Sequence, residues 1–204
     1  MNKYIKKLIT EQFTISDIDF TDDVDSDYNI FNKNVIDIQQ IYNNIIKNEY
    51  VAPDIIEQMN QMTAVIKPFN ENHLHTIAKY YSRNYKKSSL NWLDISDCVD
   101  LSSTFLCTKY NGDISKWDVS NVRNMTGLFC NSKFNNDISG WDVSNVRFMY
   151  RMFDGSEFNG NISEWDVSNV VNMSYMFSKS KFNNNISKWD VSNVLNMSMM
   201  FIGS

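Results

Sequence analysis

The stretch Trp141-Asp142-Val143-Ser144-Asn145-Val146-Arg147-Phe148-Met149-Tyr150-Arg151-Met152-Phe153 decides how this chain is read, because its first six residues recur at Trp117, Trp165 and Trp189. The spacing is 24 residues each time, without a gap, and a full unit runs from Asn136 to Asn159. One period earlier, Ser88 to Asn111 forms a degenerate unit in which Leu93 takes the tryptophan position and Phe105 and Tyr110 stand for Phe129 and Phe134. Self-similarity at this period marks a repeat architecture, in which each unit hides its apolar face only against its neighbours.

Two periodicities lie inside each unit. From Phe134 to Ile138 the apolar spacing predicts a short strand, whereas Val146, Met149, Met152 and Phe153 share one helical or 3₁₀ face, with Ser144 or Asn145 as its cap. Stacking such units predicts a narrow parallel sheet and interior columns of equivalent residues: Trp117/141/165/189, Val122/146/170/194, Met125/149/173/197 and Phe129/153/177/201. The residues before Ser88 read as helical. Stripes at Tyr4, Ile5, Leu8 and Ile9, at Ile38 to Ile46 and at Ile55 to Ile66 precede a helix whose Leu74, Ile77, Ala78 and Tyr81 share a face, with Asn70 as its cap. The expected fold is therefore α+β: a helical cap or attachment domain over residues 1–87, then over 88–204 a leucine-rich-repeat-like solenoid of short parallel strands and helical turns. Lys86-Lys87-Ser88-Ser89 is the expected junction.

Composition narrows the function classes. Across 204 residues, 24 acidic side chains against 19 basic ones leave a formal net charge of −5, which argues against a nucleic-acid partner. No apolar run reaches the roughly 18 residues of a membrane span, and the apolar opening is too short for a signal-peptide core. The chain is thus expected in the cytoplasm or a virion rather than secreted. Cys98, Cys107 and Cys130 form neither a disulfide framework nor a zinc set and are expected as reduced packing residues.

Candidate chemistry is sparse. Asp23, Asp25 and Asp27 alternate as in a calcium loop, but Tyr28 stands where glycine is needed and Asn34 where the bidentate glutamate belongs. His73 and His75, two apart on a helix, point in different directions. The column Asp118, Asp142, Asp166 and Asp190 has two readings: turns in which each carboxylate accepts from the following Ser-Asn-Val backbone, or calcium held between units. Asp113, Asp137, Asn161 and Asn185 form a second ladder, and Asn135, Asn159 and Asn183 a third. No serine, histidine and aspartate set or glycine-rich phosphate loop is readable, so neither catalytic residues nor a cofactor or metal is expected.

The units read Phe-Asn-x-Asp-Ile-Ser-x-Trp-Asp-Val-Ser-Asn-Val-x-Asn-Met-x-x-Met-Phe, and residues Ser88 to Ser204 on this pattern resemble the BspA-type leucine-rich-repeat-like surface proteins. That resemblance implies a solenoid used for adhesion or other protein contacts, with no catalytic residue to carry over. The opening Met1-Asn2-Lys3-Tyr4-Ile5-Lys6-Lys7-Leu8 is similar to the starts of proteins from large AT-rich bacteriophages. The leading expectation is a non-catalytic interaction module whose partner is another protein or a surface macromolecule. The competing one is a structural component of a virion or surface assembly, joined through the N-terminal helices or by self-association through the open C-terminal rung. Outward positions that break the monotony of the repeat are the expected partner-binding residues: Arg123, Arg147, Tyr150, Arg151 and Tyr175.

Overall fold

The computed structural model describes residues 71–204 without a break, preceded by Asn44, Ile45, Lys47, Val51 and Pro68. The stripes expected before Pro68, apart from the buried Ile45, lie outside the described residues, as do Asn70 and the acidic segment Asp17 to Asp27. The described residues from Asn44 to Ser204 group in one compact unit, so the last helix belongs with the repeats. That helix, α1, spans Glu71–Asn84. Its expected stripe is fully buried at Leu74, Ile77, Ala78 and Tyr81, and Arg83 suits the negative end of the helix dipole. The segment after it is bonded to the first unit rather than free: Asn111 N–H donates to the Lys86 carbonyl at 2.6 Å and the Tyr110 hydroxyl to the Ser88 carbonyl at 3.0 Å.

Successive units are stitched by two backbone patterns running in opposite senses. The N–H groups of Arg147, Val171 and Leu195 each donate one unit back, to Arg123, Arg147 and Val171, at 2.9 Å. Beside them parallel pairing is confined to single residues, linking Asp100, Asn124, Phe148, Asn172 and Asn196 in order. Past that point the sense reverses. Met149, Arg151, Phe153 and Gly155 donate one unit forward, to Asn172, Ser174, Met176 and Ser178, at 2.7–3.1 Å. The N–H groups of Met152, Asp154 and Ser156, each next after one of these donors, donate three residues back within the same unit. Alternate amides thus serve the neighbour and the local turn, which leaves none for the i to i−4 ladder of a regular helix.

This bonding sets the local elements. Val146 to Met149 runs through the Phe148 bridge, and Tyr150 to Phe153 is a run of turns closed by bonds three residues back, reset every fourth residue by left-handed backbone in two columns. Ser103, Gly127, Arg151, Tyr175 and Met199 form one, and Cys107, Asn131, Gly155, Lys179 and Gly203 the other, all with φ between 50° and 73°. Phe134 to Ile138 is not assigned as a strand, and among the described residues no strand is. Its lateral bonds run through side chains: Asn135, Asn159 and Asn183 N–H groups donate to Asn111, Asn135 and Asn159 Oδ1 at 2.8 Å. An amide side chain reaching across replaces the backbone carbonyl that a strand would present.

The interior columns form as the spacing predicts. Trp117, Trp141 and Trp165, Val122, Val146 and Val170, Met125, Met149 and Met173, and Phe129, Phe153 and Phe177 are all buried. Phe129, Phe153, Phe177 and Phe201 stack at 5.5–5.6 Å between ring centroids. In the last unit the same face is open, with Met197 and Phe201 exposed.

The left-handed columns make a stability prediction. A side chain in this region costs roughly 1–2 kcal/mol relative to glycine, which loses about 0.5–1 kcal/mol through its own backbone entropy. Lys179 is exposed and sits at φ 50°, while its equivalents Gly155 and Gly203 are glycines. Lys179→Gly is expected to raise stability by about 1 kcal/mol, read as a higher urea midpoint; a lower midpoint would count against the strain argument.

Candidate protein-binding surface

The Trp-Asp-Val-Ser-Asn motif builds the surface as well as the core. Asp118 Oδ1 accepts from the Ser120 N–H at 3.0 Å and its hydroxyl at 2.6 Å, and Asp142 does the same with Ser144. Asp166 and Asp190 accept from Ser168 and Ser192 N–H groups at 3.0 Å. The second ladder behaves alike: Asp113, Asp137, Asn161 and Asn185 each take the N–H two residues on. Among the described residues no group of three or more His, Cys, Asp or Glu side chains could hold a metal ion. The local-turn reading of these ladders is the one the hydrogen bonds follow.

Backbone donation from Ser139 holds the Asp137 carboxyl below its ordinary value, hydrogen bonds from Ser168 do so for Asp166, and the Ser192 backbone does so for Asp190. A carboxyl depressed in the folded state stabilises the fold above its unfolded value, about 3.9 for aspartate, and that contribution is lost as pH falls through the lower folded value. The melting temperature is therefore expected to fall on acidification below about pH 4, with a smaller fall in Asp166→Asn; an identical acid profile for the two proteins would break the link.

Each Asn of the motif ties its unit to the preceding one. Asn121, Asn145, Asn169 and Asn193 Nδ2 donate to the carbonyls of Ser96, Ser120, Ser144 and Ser168, all at 2.8 Å. The column Asn145, Asn169 and Asn193 and the column Arg123, Arg147, Val171 and Leu195 together line an open groove of about 540 Å³. Two of the five residues expected to contact a partner, Arg123 and Arg147, lie here. The other three gather separately. The Arg151 guanidinium is 5.4 Å from the Tyr150 ring centroid and 5.2 Å from that of Tyr175, the two rings stand 6.2 Å apart at 89°, and Arg151 Nε is 3.4 Å from Asp154. The guanidinium is thus held between two rings and beside a carboxylate, with Arg151 itself still exposed.

Charges in other outward columns alternate in sign. Glu157 pairs with Lys133 and with Lys181, the latter at 3.6 Å, and Glu164 pairs with Lys188. Two features escaped the sequence reading. His75, on α1, has Nε2 at 2.8 Å from the Ser102 carbonyl and so joins α1 to the first unit. Cys107, expected to pack, is exposed, while Cys130 is buried and burial pushes its thiol upward.

The family model described as "Mycoplasma protein of unknown function, DUF285" matches residues 75–177 and again 149–204. No curated protein and no solved structure matches the chain. Among the described residues no helix is long and apolar enough to cross a membrane.

Proposed function

The chain belongs to the DUF285 family, and from that premise we propose that residues 88–204 are a leucine-rich-repeat-like solenoid of the BspA type, acting as a non-catalytic protein-protein interaction or adhesion module. The observation that carries this reading is the division of labour within the repeat. The Asp, Ser and Asn side chains that could serve chemistry are committed to turns and to neighbouring units, while the outward column Arg123, Arg147, Val171 and Leu195 varies from unit to unit and lines a groove. A stack of units joined by regular hydrogen bonds supports a preformed surface, which binds without the entropy of ordering a loop. Helix α1, packed on the first unit through His75 and through Ser82, whose Oγ accepts the Lys109 N–H at 3.0 Å, supports the capping role.

The test is capture of a partner by the full chain, followed by crosslinking to locate its footprint. A footprint on the repeat surface, lost when outward repeat residues are changed at unaltered melting temperature, is the expected outcome. Turnover of a substrate by the purified chain would overturn the non-catalytic reading.

A further inference from the structure

Resting on the interaction-module reading, we propose that the Arg123 to Leu195 groove takes an extended segment of a partner protein in which two acidic residues, two positions apart, precede a bulky apolar residue. Among the described residues neither Arg123 nor Arg147 has a hydrogen-bonded or ionic side-chain partner, although they occupy the same position of adjacent units. Two other columns pair neighbouring charges, as Lys133, Glu157 and Lys181 and as Glu164 and Lys188, and the like-charged column from Asp118 to Asp190 is met by local N–H donors, unlike Arg123 and Arg147. Two stacked guanidiniums repel unless an anion joins them, and a carboxylate is the planar acceptor that a guanidinium matches.

Further along the same column the chemistry changes. Val171 is half-buried and Leu195 is 88% exposed, so the groove runs from cationic to apolar within four units. The facing asparagines have their Nδ2 groups engaged with serine carbonyls, which leaves each Oδ1 to accept a backbone N–H from a ligand. Three steps of parallel pairing at about 4.8 Å span about 14 Å, close to four residues of extended chain at about 3.3 Å each. Side chains i, i+2 and i+4 of an extended peptide share one face, which sets two carboxylates against Arg123 and Arg147 and an apolar side chain against Val171 and Leu195. The charge gradient along the groove fixes the direction in which the segment lies.

The probe is a fluorescein-labelled heptapeptide, acetyl-Ser-Glu-Thr-Glu-Thr-Leu-Ser-amide, titrated with the full chain and followed by fluorescence anisotropy. Expected are saturable binding that weakens with added salt, at least a tenfold loss in Arg123→Glu with Arg147→Glu, and a several-fold loss in Leu195→Ser, at unchanged melting temperature. The same peptide with lysines in place of its glutamates is expected not to bind. Equal affinity for that lysine peptide, tighter binding of an oligothymidylate probe, or no loss in the charge-reversed variant each overturns the inference. Absence of any peptide binding also overturns it, while leaving the interaction-module reading to partner capture and footprinting.

Discussion

Trp141→Ala is expected to cost about 3–5 kcal/mol, the range of large aromatic truncations in a closed core. Trp141 is 3% exposed, its ring stacks on Trp117 at 6.4 Å with 5° between planes, and it lies 6.2 Å from Phe129. It also has a polar task. Its Nε1 donates to the Ile114 carbonyl of the preceding unit at 3.2 Å, the same bond that Trp117 makes to Leu90, Trp165 to Ile138 and Trp189 to Ile162. The alanine variant removes the ring and one of two donors to that carbonyl, which keeps the Trp117 N–H at 3.1 Å, so the cavity carries most of the loss. Trp189, in the last unit, is expected to lose about half as much when truncated. Urea denaturation of both variants checks this, and losses below about 1 kcal/mol at both sites would contradict the columnar core.

Gly112→Ala is the second large effect, at about 3 kcal/mol, and it comes from crowding. A Cβ at Gly112 would stand 2.0 Å from the Ser88 carbonyl oxygen and 2.5 Å from the Tyr110 hydroxyl. The obstacle is backbone, and the hydroxyl is the group that bonds that same carbonyl, so relief requires parting the first unit from the next. Leu90 N–H to Asp113 carbonyl, at 2.9 Å, spans the same seam. Gly140 is the control: nothing lies within 4 Å of its Cβ position and its backbone is not left-handed, so Gly140→Ala is expected to be neutral or slightly stabilising. Equal urea midpoints for the two alanine variants would sink the crowding argument.

The period and the columns were legible because apolar identity at one position of a repeat is dictated by the same neighbours above and below it, so Trp, Val, Met and Phe return unchanged. The aspartate turns were legible for a related reason: Asp118 and Ser120 carry the acceptor and donor within two residues, where sequence alone sets the geometry. The left-handed columns were not. Gly127, Gly155 and Gly203 were the available signal, but Arg151, Tyr175 and Lys179 hold the same backbone without glycine, because amides committed to the next unit override the local preference. The strand assignment at Phe134 to Ile138 failed because alternation alone cannot tell a backbone ladder from an asparagine ladder such as Asn111, Asn135 and Asn159. His75 was unreadable for a simpler reason: its acceptor, Ser102, lies 27 residues away outside any repeat relation. Of the five residues expected at a partner surface, Arg123 and Arg147 line the groove while Arg151 lies between Tyr150 and Tyr175, a division that outward position alone could not foretell.

The tryptophan bond that reaches back to the preceding unit bears on how such a molecule can change its length over time. An insertion of a few residues inside the stack would move each later indole away from its carbonyl, shift both left-handed columns, and take every asparagine out of reach of its serine. Growth or loss is tolerated in whole units, each arriving with the tryptophan that closes the one before it. The outward column at Arg123 and Arg147 takes no part in that closure by its side chains, so new binding preferences can be written there, unit by unit, while the register beneath stays as it was.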